Sequence, residues 1–338
     1  MTATVIIVTL NRPDCVERCL SCLHAQTRLA EQIIVVDASA DDLTRVVSTR
    51  FHDVVYLRNA NGFGRMTASR NIGLRKANGN VIAFLDDDAF AHPTWLEHLL
   101  ESYADPAVGA VGGRALNNQR EESTIGAREI GQLKANGTLT GYFAADPGRT
   151  IEVEHVMGCN MSFRREVIAK LGGFREDYPG ISGVREDTDM CLRVRSLGRR
   201  ILFNPQACVD HLGAPQAKGR RFDARYMFSG MQNHCVMLQR NFGWSSPLLW
   251  RFFGAAVAEG ISDAFRRIAG GSVRFGAVLA GLACGLAKAT VSSLRGARGP
   301  IRTDPEAASL AAWLSRPASP GVAAGMPQAD RGDRPVPR

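Results

Sequence analysis

The chain has 338 residues, 45% of them hydrophobic and 22% charged, with Lys+Arg 41 against Asp+Glu 33. This is ordinary globular usage and enough chain for one large or two small domains, with a core of a size that needs no disulfide or metal staples. The basic excess is confined to one end: residues 213–338 hold 17 of the 41 Lys+Arg and 7 of the 33 Asp+Glu. A basic, partly apolar region points to an anionic membrane surface. Nucleic acid is not expected, because no zinc finger, RNA-binding aromatic pair or basic zipper accompanies the charge.

In chain order, Thr4–Thr9 is a β-branched run, and Asp14–Ala25 has apolar residues at helical spacing. The N-terminus lacks a basic segment followed by a long apolar stretch, so no signal peptide is expected and the expected compartment is the cytoplasm. Cys19 and Cys22 form a lone C-x-x-C, and the eight cysteines read as small apolar side chains in a reducing compartment. Gln32–Val36 predicts a second strand, ended by Asp37-Ala38-Ser39-Ala40-Asp41-Asp42, which can cap a following helix. Val54–Leu57 predicts a third strand, Thr67–Ala77 a helix, and Val81–Leu85 a fully buried fourth strand. Short apolar strands alternating with helices predict an α/β fold, a mostly parallel sheet covered on both faces. Ligands then sit at the carboxyl ends of the strands.

Gly113–Glu154 is loose and rich in Gly, Asn and charge, and is expected to form an inserted loop region that shapes an acceptor site. Regular signals return over His155–Arg165, with helices at Glu166–Leu171 and Glu186–Leu197 and strands at Ile201–Asn204 and Ala207–His211. Asp223–Asn241 and Pro247–Ile268 read as amphipathic helices. The uncharged run Phe275–Ala287 falls short of the roughly 20 residues of a spanning helix, so it is expected to be interfacial or packed on the protein. The resulting division is residues 1–212 as one domain, 213–300 as a C-terminal helical region in peripheral membrane contact, and 301–338 as a disordered tail. The alternative for the helical region is packing on the catalytic part or on a second subunit, which would make a homo-oligomer.

The sharpest chemical signal is Val81-Ile82-Ala83-Phe84-Leu85-Asp86-Asp87-Asp88, five apolar residues running into three carboxylates. Clustered like charges are costly unless a cation offsets them, and oxygen ligands suit Mg2+ or Mn2+. Alternate residues of an extended chain point the same way, so Asp86 and Asp88 can face one site. Asp37, at the same sheet edge, can accept the ring N–H of uracil or thymine. Arg70, in a helix behind the glycine-bearing Asn61-Gly62-Phe63-Gly64, can meet a phosphate or serve a structural pair. Arg185-Glu186-Asp187-Thr188-Asp189 opens a helix with three carboxylates, which either cap it or include a general base. His211 completes a metal site only where the fold brings it to Asp88.

Taken together and in this order, these segments resemble family-2 glycosyltransferases of the GT-A fold. The resemblance covers roughly residues 3–212 and rests on Thr9-Leu10-Asn11-Arg12, Gln26 ahead of Ile33–Asp37, Arg70-Asn71 with Gly73, Leu85–Asp88 followed by Pro93 and Trp95-Leu96, Gly158–Arg165, Gly172-Gly173-Phe174, Glu186–Asp189 and His211. It implies a metal-dependent, inverting transfer from a nucleotide-diphosphate sugar to an acceptor glycan, glycolipid or small molecule. Thr9, Asn11, Arg12, Asp37, Arg70, Asp86 and Asp87 would then line the donor site. Asp86, Asp88 and His211 would hold the metal, and Asp187 would be the base. Ala38-Ser39-Ala40 departs from the Asn, Asp or Gly usual after the second-strand carboxylate. A nucleotidyltransferase would need a glycine-rich loop after the first strand, and Leu10-Asn11-Arg12-Pro13 has no glycine. A non-catalytic binding module would not need Asp187 together with the metal carboxylates.

Overall fold

Apolar runs become one half of the sheet, with β3 at its edge: β1 (Ala3–Thr9), β2 (Gln32–Asp37), β3 (Val54–Arg58) and β4 (Val81–Asp86). The structure is a computed structural model that describes residues 1–60, 62, 66–117, 126–178, 184–213, 224–266 and 271–294. The remaining strands are β5 (Ala89–Ala91), β6 (Val108–Leu116), β7 (Ile151–Glu152), β8 (Asn160–Arg164) and β9 (Arg200–His211). They form one sheet in the order β3-β2-β1-β4-β8-β6-β9-β5, with β7 on β9. The first four strands are mutually parallel, as expected. Beyond them the sheet is mixed: β8 pairs antiparallel with both β4 and β6, while β6 and β9 are parallel.

Side-chain alternation divides the core. Ile6, Ile34, Ile82 and Phe84 face one apolar cluster, while Val5, Ile7, Ile33, Val35 and Leu85 face another. The first cluster is covered by α3 (Met66–Leu74), α5 (Arg165–Lys170) and α6 (Glu186–Ser196), which contribute Leu74, Ile168 and Val194. The second is covered by α1 (Pro13–His24), α2 (Leu43–Ser48) and α4 (Trp95–Glu101), through Leu20, Val47 and Trp95.

The two short strands expected around Pro205 are one strand with an irregularity. Gly113 pairs with Asn204 and Ala115 with Val209, so the residues between leave the β6 register, where Pro205 has no N–H to offer. The loop region begins later than expected, because β6 runs to Leu116. Its described part is irregular apart from β7 and a bridge between Leu133 and Leu139.

The C-terminal region is helical: α7 (Ala224–Phe242), α8 (Pro247–Arg266) and α9 (Gly271–Leu294). The apolar run read as 13 residues is part of a longer helix. Lys288 does not end it, and Phe275–Leu294 is 20 residues of mean hydropathy 1.6, long and apolar enough to cross a membrane by length and composition. These helices share a third apolar cluster with Leu192 of α6, together with Cys235, Leu238, Leu249 and Leu282. Residues 301–338, expected to be disordered, lie outside the described residues.

Candidate active site

Parallel register gathers the first carboxylates. Thr9 pairs with Asp37, and Val8 with Asp86, so β1, β2 and β4 deliver their last residues to one edge. After β4 the chain turns, and β5 pairs antiparallel with β9, setting Ala89 opposite His211. That pairing brings His211 Nε2 to 3.5 Å from Asp88 Oδ1. Ligand atoms of Asp86, Asp88 and His211 lie within 4.8 Å of one another. Asp86 Oδ1 is buried with no hydrogen-bond partner among the described residues, and its cation neighbour is Arg70 Nη2 at 3.6 Å. Two carboxylates and an imidazole, one oxygen of them orphaned, fit a divalent ion such as Mg2+ or Mn2+.

Electrostatics agree with that fit. Burial raises the Asp86 carboxyl, with Asp88 adding to the rise and Arg70 opposing it. Burial alone would lower the His211 imidazolium, but the hydrogen bonds to Asp88 and Cys159 outweigh it and push it up to about 11. In the protein alone a proton therefore provides the counter-charge that a metal would supply.

Asp87 points elsewhere. Its side chain is fully buried, accepting from Thr9 Oγ1 at 2.6 Å and pairing with Arg12 Nη2 at 2.6 Å, and burial pushes its carboxyl up to about 7. Arg12 also reaches Asp88 Oδ2 at 3.0 Å, so Thr9, Arg12 and Asp87 together brace the turn that presents Asp88. Asn11 adopts φ 55°, and its N–H donates to Ser39 Oγ at 2.7 Å. Asp37, expected to meet a base, is enclosed: Ser39 N–H donates to it at 2.8 Å, Ser39 Oγ also donates, and Tyr56 OH donates at 2.9 Å.

Arg70 links the two halves of the site. Of the two roles left open for it, the structure shows the structural pair: 1% exposed, it donates to Glu186 Oε1 at 3.0 Å and to the Gly158 carbonyl at 3.4 Å. Gly158 N–H donates in turn to Asp187 Oδ2 at 3.0 Å, and Thr188 N–H donates to Asp187 Oδ1 at 2.7 Å. Arg185, immediately before, stands at φ 80°, the left-handed region that costs a non-glycine residue energy and clusters at functional sites. Of the three carboxylates opening α6, Asp187 alone is half-buried. Asp189 is buried against Arg175 Nη1 at 2.7 Å and Asn241 Nδ2 at 2.8 Å.

Glu186 is a buried carboxyl with Oε2 unpartnered among the described residues. Burial and the neighbouring Asp187 push it up to about 8, against the pull of Arg70. A carboxyl raised in the folded state holds its proton more tightly there than in the unfolded chain, so stability falls as pH rises between the ordinary value near 4.5 and about 8. Glu186→Gln is therefore expected to lose less melting temperature between pH 5 and pH 8 than the wild type, both measured in chelator. An equal loss would show that Glu186 is ionised throughout.

Several contacts here carried no sequence signal. The Arg70–Glu186 pair spans 116 residues. His155, which donates to or accepts from Thr188 Oγ1 at 3.4 Å while its other nitrogen faces the Thr140 carbonyl at 2.9 Å, was not singled out, nor was Tyr56. Burial drives His155 down to about 4, so it is a neutral ring beside Asp187. Cys159, which helps raise the His211 imidazolium, carries no such signal either.

The family model described as "Glycosyl transferase family 2" matches residues 4–172. The chain is 29% identical over 223 residues to a glucosyl-dolichyl phosphate glucuronosyltransferase of Haloferax volcanii, covering 62% of this chain and 69% of that one. It is 28% identical over 233 residues to the O-antigen chain rhamnosyltransferase WbaN of Salmonella anatum, covering 67% and 70%. Among solved structures it is similar in fold to the mannosyltransferase PcManGT from Pyrobaculum calidifontis, in complex with GDP-Man and Mn2+. There the TM-score is 0.54 at 19% identity, over 92% of this chain and 84% of that one.

Proposed function

The chain belongs to glycosyl transferase family 2, and from that premise we propose that it moves a sugar from a nucleotide-diphosphate donor to an acceptor hydroxyl in a single inverting displacement. The observation that carries this reading is the continuous link from Asp86 through Arg70 and Gly158 to Asp187, at 3.6, 3.4 and 3.0 Å. It holds a cation-binding group and a base at a fixed separation, which is what a displacement between two bound reactants needs.

Asp86, Asp88 and His211 would hold the divalent ion, which offsets charge on the departing diphosphate. Asp187 takes the proton of the attacking hydroxyl at a carboxylate oxygen held by the Gly158 or Thr188 N–H. Glu186, protonated and fixed by Arg70, keeps a second negative charge away from that base. One base and one displacement invert the anomeric centre, by analogy with single-displacement glycosidases. The dolichyl phosphate in one relative's name and the O-antigen chain in another's favour an acceptor glycan or glycolipid. An acceptor presented that way would place the enzyme at the cytoplasmic face of a membrane.

The test is a donor screen scored by metal-dependent release of nucleotide diphosphate. Turnover of at least one donor that stops in chelator is the expected result. Binding of nucleotide diphosphates with no turnover of any donor would return the non-catalytic reading. Within the screen, UDP or dTDP is expected to displace a labelled donor more strongly than GDP, on the chemistry of the Asp37 carboxylate toward one imide N–H. That contact requires the base to take the place of the Tyr56 hydroxyl on the carboxylate. The reverse ranking, in line with the GDP-Man bound by PcManGT, would remove Asp37 as a base contact and leave it as the brace of Ser39 and Tyr56.

A further inference from the structure

The two sides of α9 differ. One side docks on α7 at two glycines, where an added Cβ would meet the Phe228 carbonyl oxygen at 2.6 Å (Gly281) and the Gln232 carbonyl oxygen at 2.9 Å (Gly285). On the other side Val273, Leu279, Val291 and Leu294 are 66, 40, 43 and 82% exposed. Among its described side chains the exposed positions are apolar or glycine except Lys288 and Thr290. A helix face turned to water ordinarily carries charge, and a contiguous apolar surface of this kind marks an interaction site.

Two further observations identify what covers it. A tryptophan pair stands at the C-terminal end of the stripe: Trp244 Nε1 donates to Ser293 Oγ at 3.0 Å, Trp250 Nε1 donates to the Trp244 carbonyl at 2.9 Å, and Trp250 is half exposed. Rings with an apolar body and a polar edge favour the headgroup level of a bilayer. Along the sequence, residues 264–303 contain six Arg and one Lys and no Asp or Glu. That charge complements anionic lipid, each cation near such a surface adding to attraction. The same positive excess on a second copy of the chain would repel it, where an anionic lipid surface would be attracted.

We propose that the outward side of α9, with Trp250, lies in the plane of an anionic lipid bilayer. A spanning arrangement would strip Gly281 and Gly285 from α7, whereas an in-plane one leaves that contact intact and covers only the exposed side. The surface deepens the membrane placement in the proposed function, but its observations do not depend on the transfer chemistry.

The experiment is sedimentation of the full chain with vesicles of phosphatidylglycerol and phosphatidylcholine, and with phosphatidylcholine alone. Binding is expected to the anionic vesicles, to weaken with salt, and to fall about tenfold or more in a Leu279→Asn/Val291→Asn variant, since two apolar side chains leave the interface. The variant should keep the wild-type melting temperature and donor turnover, because both positions face outward. A chain that stays in the supernatant, binds neutral vesicles equally well, or binds unchanged after the double substitution overturns the proposal. So does a dimer in gel filtration that the same substitutions dissolve without any vesicle binding, which would make this face a contact between copies. Vesicle binding is read without any donor present, so its failure is separate from a failure of the transferase reading.

Discussion

Asp187→Asn is expected to leave donor binding intact while transfer falls by roughly 10²–10⁴-fold, the usual contribution of a positioned general base. Glu186 faces Arg70, and Asp189 is enclosed by Arg175 and Asn241, which leaves Asp187 as the carboxylate on that turn open to an acceptor. Oδ1 accepts from the Thr188 N–H at 2.7 Å and the Thr188 hydroxyl at 3.4 Å, while Oδ2 accepts from the Gly158 N–H at 3.0 Å and has a further lone pair to take a proton. Donor affinity by calorimetry and initial transfer rates separate binding from chemistry. Transfer near the wild-type rate would move the base to Glu186, and a product of retained anomeric configuration would discard single displacement altogether.

Asp88→Ala is expected to abolish metal-dependent donor turnover, a loss on the order of 10²-fold or more, while the protein stays folded. Arg12 loses one partner but keeps Asp87, itself held by Thr9, so the turn after β4 retains its brace. Thermal melting and turnover, each with and without excess chelator, check both halves of the statement. Full activity of the wild type in chelator would sink it.

The donor half of the site was legible because its signals are local. The run Val81–Leu85 is too apolar to be anything but buried, so the carboxylates after it had to emerge at a sheet edge. Asp86 and Asp88 do meet, although the strand ends at Asp86 and a turn, in place of the expected extended chain, carries Asp88. Parallel register then aligned Asp37 and Thr9 with them. His211 was conditional: nothing near it in sequence points to a ligand, and its place depends on β5, a three-residue strand with no periodicity to read. Arg70 offered two roles, and the structural pair became visible only in the tertiary fold, which brings Glu186 to it from 116 residues away. The mixed half of the sheet escaped for a related reason. An apolar run such as β8 states that it is buried but not in which direction it runs. Helix α9 is longer than its uncharged run suggests, because Lys288 does not end it: a long basic side chain can reach out of an apolar stretch.

The grip of α7 on the turn that carries Asp187 bears on how this chain can be divided. Asn233 donates to the Val184 carbonyl at 3.0 Å, Arg240 pairs with Asp177 through two contacts of 3.0 Å, and His234 meets the Gly137 carbonyl at 2.8 Å. Leu192, on α6 itself, packs in the same apolar cluster as Cys235 and Leu238 of α7. The boundary drawn near residue 213 is therefore a seam in sequence and not a hinge between exchangeable parts. Grafting the first 212 residues onto another tail would carry Asp86, Asp88 and His211 whole but leave Asp187 on a turn without these contacts, so chimeras and minimal versions of this enzyme need to carry α7 with the sheet.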